Sequence, residues 1–183
     1  SLNEWSSTGW QQLDNFRHDL ADTRSYPFNI QWAGKLAEIQ KTLTEYGWKP
    51  ANKLGSKNIL RWLSYKTELH QRPVLPQLHR DQQNVLSLVF ADKQKIWIIR
   101  FWHSGYHYNN QPIWLGQAAE MQAKSFLGIF HYPVTGSDFA SPILLLKNQL
   151  NMQKMDIQEK IIKLPENNDY ALLLIAQKIS VDQ

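Results

Sequence analysis

The chain has 183 residues, a net charge of +4, no cysteine, and 12% aromatic residues including eight Trp. That content excludes a disordered chain, since disorder depletes aromatics, and the length suits one domain burying about 70% of its unfolded surface. Without cysteine there is no disulfide and no thiolate-held metal; the pI of about 9.2 permits an acidic partner without demanding one, because Lys and Arg are scattered.

No run approaches the ~20 apolar residues that span a bilayer. The longest, near Val85–Ala91 and Ala171–Ala176, are strand-sized. The opening SLNEWSSTGW lacks the basic and apolar regions of a signal peptide. It also lacks an initiator methionine, and we expect a further piece upstream of Ser1.

Residues 1–25 are polar with Trp5, Trp10, Leu13 and Phe16 interspersed, which predicts an extended or partly helical arm packed on the domain. Tyr26–Trp32 alternates, with Phe28, Ile30 and Trp32 on one side, the period of a half-buried strand. From Lys35 to Tyr46 the period becomes helical: Leu36, Ile39, Leu43 and Tyr46 share a face, and Gly47 supplies the stop. Trp48 starts a short extended piece that Pro50 ends. Ser56 is a plausible N-cap for a second helix carrying Ile59, Trp62, Leu63 and Lys66. Thr67–Asp81, with Pro73 and Pro76, reads as a long loop or edge segment.

Asn84–Gln117 organises the rest. Three apolar, β-branched and aromatic runs separated by polar breaks predict an antiparallel meander. In its middle run Ile96, Ile98, Arg100 and Trp102 point one way and Trp97, Ile99 and Phe101 the other. Both faces are largely apolar, so this strand should be central and covered on both sides. Ser125–Tyr132 reads as a fourth strand. Pro142 at the first helical position after Ser141 opens a helix through Leu150 with Ile143, Leu146 and Leu150 inward. Ile157–Leu164 and Tyr170–Gln177 read as a terminal hairpin around Pro165–Asp169. The expected fold is α+β: a mixed or mainly antiparallel sheet, its central meander at about residues 84–119 covered by helices, with residues 26–183 forming one domain behind the arm.

There is no P-loop, no GxGxxG, no HExxH and no G-x-S-x-G, so no cofactor is implied and the enzyme question stays open. His103 and His107 would share a metal on a helix, but Gly105 and Asn109–Asn110 indicate a hairpin where the rings diverge; no metal site is expected. His70 and His79 bracket the proline-rich segment beside Glu68, Arg72, Arg80 and Asp81, a long loop of the kind that often carries function. The tryptophans could stack on sugars or bases, yet Trp32, Trp48, Trp62, Trp97 and Trp114 fall at core positions. Arg100 is the sharpest residue. A guanidinium in the apolar centre of a strand cannot be buried unpaired without costing several kcal/mol. The expectation is a buried ion pair with Asp92, Glu120 or Asp138, or stacking on Trp102; the functional alternative is a phosphate or carboxylate clamp.

The order PVLP (Pro73–Pro76), IRFW (Ile99–Trp102) and QPIWLGQAA (Gln111–Ala119), preceded by FNIQWAG and LTEYGW, resembles the C-terminal domain of LssY, a protein encoded with a bacterial type I secretion locus. The likeness covers most of residues 26–150. It implies a soluble domain attached to a multispanning membrane protein, often one with DedA-like and PAP2-type phosphatase regions. The phosphatase motifs of those regions are absent from this chain. Where many members carry a His pair before the Arg-x-Trp, this chain has Trp97 and Ile98. Ala119, Glu120 and Met121 replace an Asp that often follows the Gly, and Ser141–Leu145 replaces a charged cluster, while His131 is kept.

These observations lead to a non-catalytic accessory or interaction domain of a bacterial inner-membrane protein, linked to type I secretion or envelope lipid metabolism. Its partners would be the membrane-embedded region of its own protein, secretion or envelope proteins, or an anionic lipid head group. No nucleic acid is expected, because no basic stripe with exposed aromatics appears. The net charge favours the cytoplasmic over the periplasmic side. The alternative is an enzyme or ligand-binding domain for a phosphorylated or anionic lipid-linked substrate, using Arg100 with His131, His103 or His79.

Overall fold

A computed structural model describes residues 2–19, 22–51, 77–91, 95–126, 130–153, 155–164 and 170–179. In chain order these form α1 (Leu2–Ser7), a 3-10 turn (Gly9–Gln12), β1 (Phe16–Asp19), β2 (Asp22–Pro27), β3 (Ile30–Ala33), α2 (Leu36–Glu45) and β4 (Lys49–Pro50). There follow β5 (Leu78–His79), β6 (Gln82–Gln83), β7 (Leu86–Ala91), β8 (Ile96–Tyr108), β9 (Gln111–Phe126), β10 (Phe130–Thr135), α3 (Ser141–Asn151), β11 (Met155–Lys163) and β12 (Tyr170–Lys178). The expected second helix around Ser56–Lys66 and the Thr67–Pro76 stretch lie outside the described residues.

The expected meander is β7–β8–β9, antiparallel throughout, at the heart of a sheet ordered β11-β12-β3-β9-β8-β7-β4. The parallel pairing of β12 with β3 makes the sheet mixed. At the tip of β8–β9, Asn109 and Asn110 adopt φ of 47° and 59°, the left-handed pair that a two-residue hairpin turn requires. Gly47, at φ 90°, ends α2 as its position suggests. The terminal hairpin forms as β11–β12.

Alternation along β8 separates two cores. One face packs Trp32, Leu88, Trp97, Ile99, Phe101 and Trp114 against Ile39 and Leu43 of α2 and Ile143, Leu146 and Leu150 of α3. Gly116 lies on this face, where an added Cβ would come within 2.8 Å of Ile30 Cβ and 2.9 Å of Phe101 Cε1. The other face packs Trp102, Ile113, Leu115, Leu173 and Ile175 against Trp5, Trp10 and Leu13. Thus α2 and α3 cover one face, and the N-terminal arm, through the short α1, the 3-10 turn and Leu13, covers the opposite one.

Three local expectations need correction. Tyr26–Trp32 is not one strand: the chain breaks at Phe28–Asn29, so Phe28 joins the arm-side core and Ile30 and Trp32 the helix-side core. Ser125–Tyr132 is not one strand: Ser125 and Phe126 end β9, while Phe130–Tyr132 begin β10, which pairs antiparallel with it. Lastly, α3 begins at Ser141 itself, its first amides capped from outside by Asp138 Oδ1, which accepts from Ala140 N at 3.1 Å and Ser141 N at 3.0 Å.

Along one edge of β9 the partner changes. Ile113–Gly116 pair with β3, and Met121–Phe126 pair with β10. Between them the fully buried Asn29 side chain takes a strand's place. Its Nδ2 donates to Ala118 O at 2.7 Å and to Phe139 O at 3.1 Å, and its Oδ1 accepts from Ala118 N at 2.7 Å.

Candidate functional site

On the arm face of the sheet, β8 sets Arg100 between two apolar neighbours, Ile98 and Trp102 (alternate residues of one strand share a face). Its register partners are Ser87 on β7 and Gln117 on β9, so one polar rung crosses three strands. Apolar packing bounds it: Val89, Ile98 and Met121 on one side, Phe28, Trp102 and Leu115 on the other.

Arg100 is 3% exposed. Its Nη1 donates to Thr135 Oγ1 at 3.1 Å, and its buried Nε has no protein partner. The expected ion pair does not form among the described residues. Asp138 sits 3.6 Å from Lys95 instead. Glu120 opposes Trp97, and so belongs to the other alternation of β9. Asp92 lies outside the described residues.

Neighbouring segments close over the rung. Gln77 Nε2 donates to Thr135 Oγ1 at 2.7 Å, while Gln77 O accepts from Trp102 Nε1 at 3.3 Å. Asn84 Nδ2 donates to Ser87 Oγ at 2.6 Å. From the arm, Arg17 lays its guanidinium 4.5 Å from the centre of the Tyr26 ring and donates to Leu78 O at 3.4 Å. The β5–β6 hairpin is latched to the arm by Asp14, which meets His79 Nε2 at 3.0 Å and Arg80 Nη2 at 2.8 Å. Gln117 Nε2 donates to Pro27 O at 3.2 Å, and its buried Oε1 has no donor.

Burial first and the charge of Arg17 second lower the Arg100 pKa from its ordinary value to about 9, with Tyr26 opposing. Arg100 therefore stays charged at neutral pH, in a buried layer where an uncompensated ion costs several kcal/mol. Hydrogen-bonding neighbours ease that penalty only in part, because they answer the N–H groups and not the charge. An oxyanion answers both, and the guanidinium fork fits it bidentately.

The other sequence candidates divide by position. His79, 5% exposed, reaches the same closing segment, held by Asp14 and edge-on to Phe28 with ring centres 4.8 Å apart. His103 lies on the opposite alternation of β8, exposed, with its ring 4.3 Å from that of Trp114. It cannot share a ligand with Arg100 across the sheet. An irregularity in the β8–β9 register separates His103 from His107. His131 is on β10, paired by backbone with Ser125. Trp32, Trp48, Trp97 and Trp114 are all buried, as their positions indicate; Trp62 lies outside the described residues. A separate cleft of about 590 Å³ opens at the far end of the sheet, between α2, the β8–β9 tip and the end of β12.

Sequence reasoning missed Gln117, Thr135, Gln77 and Arg17. Gln117 was readable: extending the alternation Ile113, Leu115, Gln117, Ala119 marks it as a polar residue on an inward face. The others come from segments that only folding brings to β8.

Among proteins of known family, the model described as LssY C-terminus matches residues 10–131, two thirds of the chain. That span holds the whole meander and stops at the second residue of β10. No curated protein and no solved structure gives a significant match.

Proposed function

Because the chain belongs to the LssY C-terminus family, we propose that it is an accessory domain of a larger bacterial inner-membrane protein, facing the cytoplasm, and that it recognises an anionic group through Arg100. The first half of this reading comes from the resemblance carried by IRFW and QPIWLGQAA. The second rests on one observation: a 3%-exposed guanidinium bonded to the Thr135 hydroxyl, with its Nε unpartnered and no carboxylate beside it among the described residues. Binding is favoured over catalysis because His103 lies across the sheet from Arg100 and His79 is held by Asp14.

Thermal unfolding in increasing sodium phosphate tests the reading, with Arg100→Met measured beside the wild type to cancel the general stabilising effect of the salt. At a ligand concentration one hundred times Kd, the wild type should gain about 2.7 kcal/mol, or about 5–10 °C in a chain of this length. The variant should show the general salt effect only. Equal shifts in the two proteins would remove Arg100 as an anion site. For the membrane context, the full-length protein should sediment with the inner membrane; recovery in the soluble fraction would refute it.

A further inference from the structure

The rung that holds Arg100 carries an acceptor as well as a cation, and the pair narrows the ligand; this step rests on the anion-recognition reading above. Gln117 stands directly opposite Arg100 in the β8–β9 register and is 0% exposed. Side chains so placed leave the sheet on one face with Cβ atoms about 4.5–5.5 Å apart. The bond from Gln117 Nε2 to Pro27 O orients the amide, since only its nitrogen can donate to a carbonyl. Its Oε1 is thereby committed to the buried layer, where it has no donor. Thr135 adds a third function. Its Oγ1 already accepts from Arg100 Nη1 and Gln77 Nε2, so its own proton is left to give.

Around the rung stand donors, Arg100 Nε and the hydroxyls of Thr135 and Ser87, and two buried acceptors without donors, Gln117 Oε1 on the rung itself and Gln77 Oε1 beside Thr135. A fully deprotonated oxyanion such as sulfate suits the donors but turns lone pairs toward the Gln117 oxygen. A phosphate that keeps one O–H suits the donors and Gln117 Oε1 together. We propose that this site takes a singly protonated phosphate group, its oxygens held by Arg100 and Thr135 and its O–H donated to Gln117 Oε1. Inorganic phosphate and a phosphate monoester of the kind a lipid head group bears share this chemistry.

The test compares the thermal shift given by inorganic phosphate, glycerol 3-phosphate and sulfate to the wild-type protein. The pH is about 6, near the second pKa of a monoester, where both phosphates retain an O–H. The expected result is half-saturation by inorganic phosphate at a concentration at least about tenfold below that of sulfate, the discrimination expected when a buried acceptor goes unanswered. A matching response to glycerol 3-phosphate identifies a monoester as the ligand; a response to inorganic phosphate alone identifies the free ion. In Gln117→Leu the sulfate response should persist and the preference for phosphate should vanish. Equal responses to phosphate and sulfate in the wild type, or a preference that survives in Gln117→Leu, overturn this inference and leave the anion site standing. No response to any of the three overturns the anion site itself. The wild-type comparison decides the matter even if the variant does not fold.

Discussion

Arg100 is held in a place where its own charge works against the fold. It is buried, charged at neutral pH, and bonded to a neutral hydroxyl. A structural keystone and a ligand-binding residue differ in what its removal does. Replacing a buried charge by an apolar side chain of similar length is often neutral or stabilising by about 1–4 kcal/mol. Arg100→Met should therefore unfold at the same temperature as the wild type or several degrees above it, in a buffer free of oxyanions. A loss of more than about 2 kcal/mol by chemical denaturation would make Arg100 a structural residue, since losses of that size come from broken buried networks. The sequence showed that Arg100 must meet a partner or an anion. It could not say which, because the polar groups around it come from β9, β10, the arm and the segment before β5.

Two elements depend on single polar side chains in place of backbone pairing. Asn29 supplies β9 with the hydrogen bonds of a missing strand residue, in the gap between the first residue of β3, opposite Gly116, and the last residue of β10, opposite Met121. Asn29→Ala leaves the N–H and C=O of Ala118 buried without partners, at about 1–3 kcal/mol for each. Equilibrium denaturation should show a loss of about 3–5 kcal/mol, larger than for an exposed asparagine. The start of α3 depends on Asp138 in the same way. Burial pushes the Asp138 carboxyl up, but hydrogen bonds from Ser141 and Ala140 and the charge of Lys95 outweigh it and leave its pKa below 3.8. A carboxyl whose folded pKa is depressed contributes stability above its unfolded value, and that contribution is lost as pH falls through the folded value. Asp138→Ala should therefore cost about 1 kcal/mol at pH 7. The gap between variant and wild type should close as the pH falls below 3.8. A gap unchanged in acid would assign the effect to something other than the charged cap. The helices α2 and α3, the meander and the terminal hairpin were legible from period and turn residues alone. Asn29 was not, because its role is set by where two distant strands stop.

At the scale of the whole molecule, the family match and the extent of the sheet do not coincide. The match ends at residue 131, yet β12 inserts beside β3 in the interior of the sheet. Leu173, Leu174 and Ile175 are fully buried there, and α3 adds Ile143, Leu146 and Leu150 to the helix-side core. A fragment of residues 10–131 would expose the β3 edge and lose part of both cores. It should show no cooperative thermal transition by circular dichroism, whereas the full chain should unfold in one step. A cooperative melt of the fragment would mean that residues 132–183 are an addition to a self-sufficient domain. The sequence by itself determined the period of each main element, the inward place of Arg100 on its strand, and the motif order that marks the family. Those are properties of neighbours along the chain, set by side-chain alternation and helical spacing. The tertiary structure decided that an arm covers the second face of the sheet, that β12 runs parallel to β3, and that Arg100 faces Gln117 and Thr135, with no carboxylate beside it among the described residues. Each is a contact between segments far apart in the chain, where packing of the whole core chooses among partners that local sequence leaves equivalent.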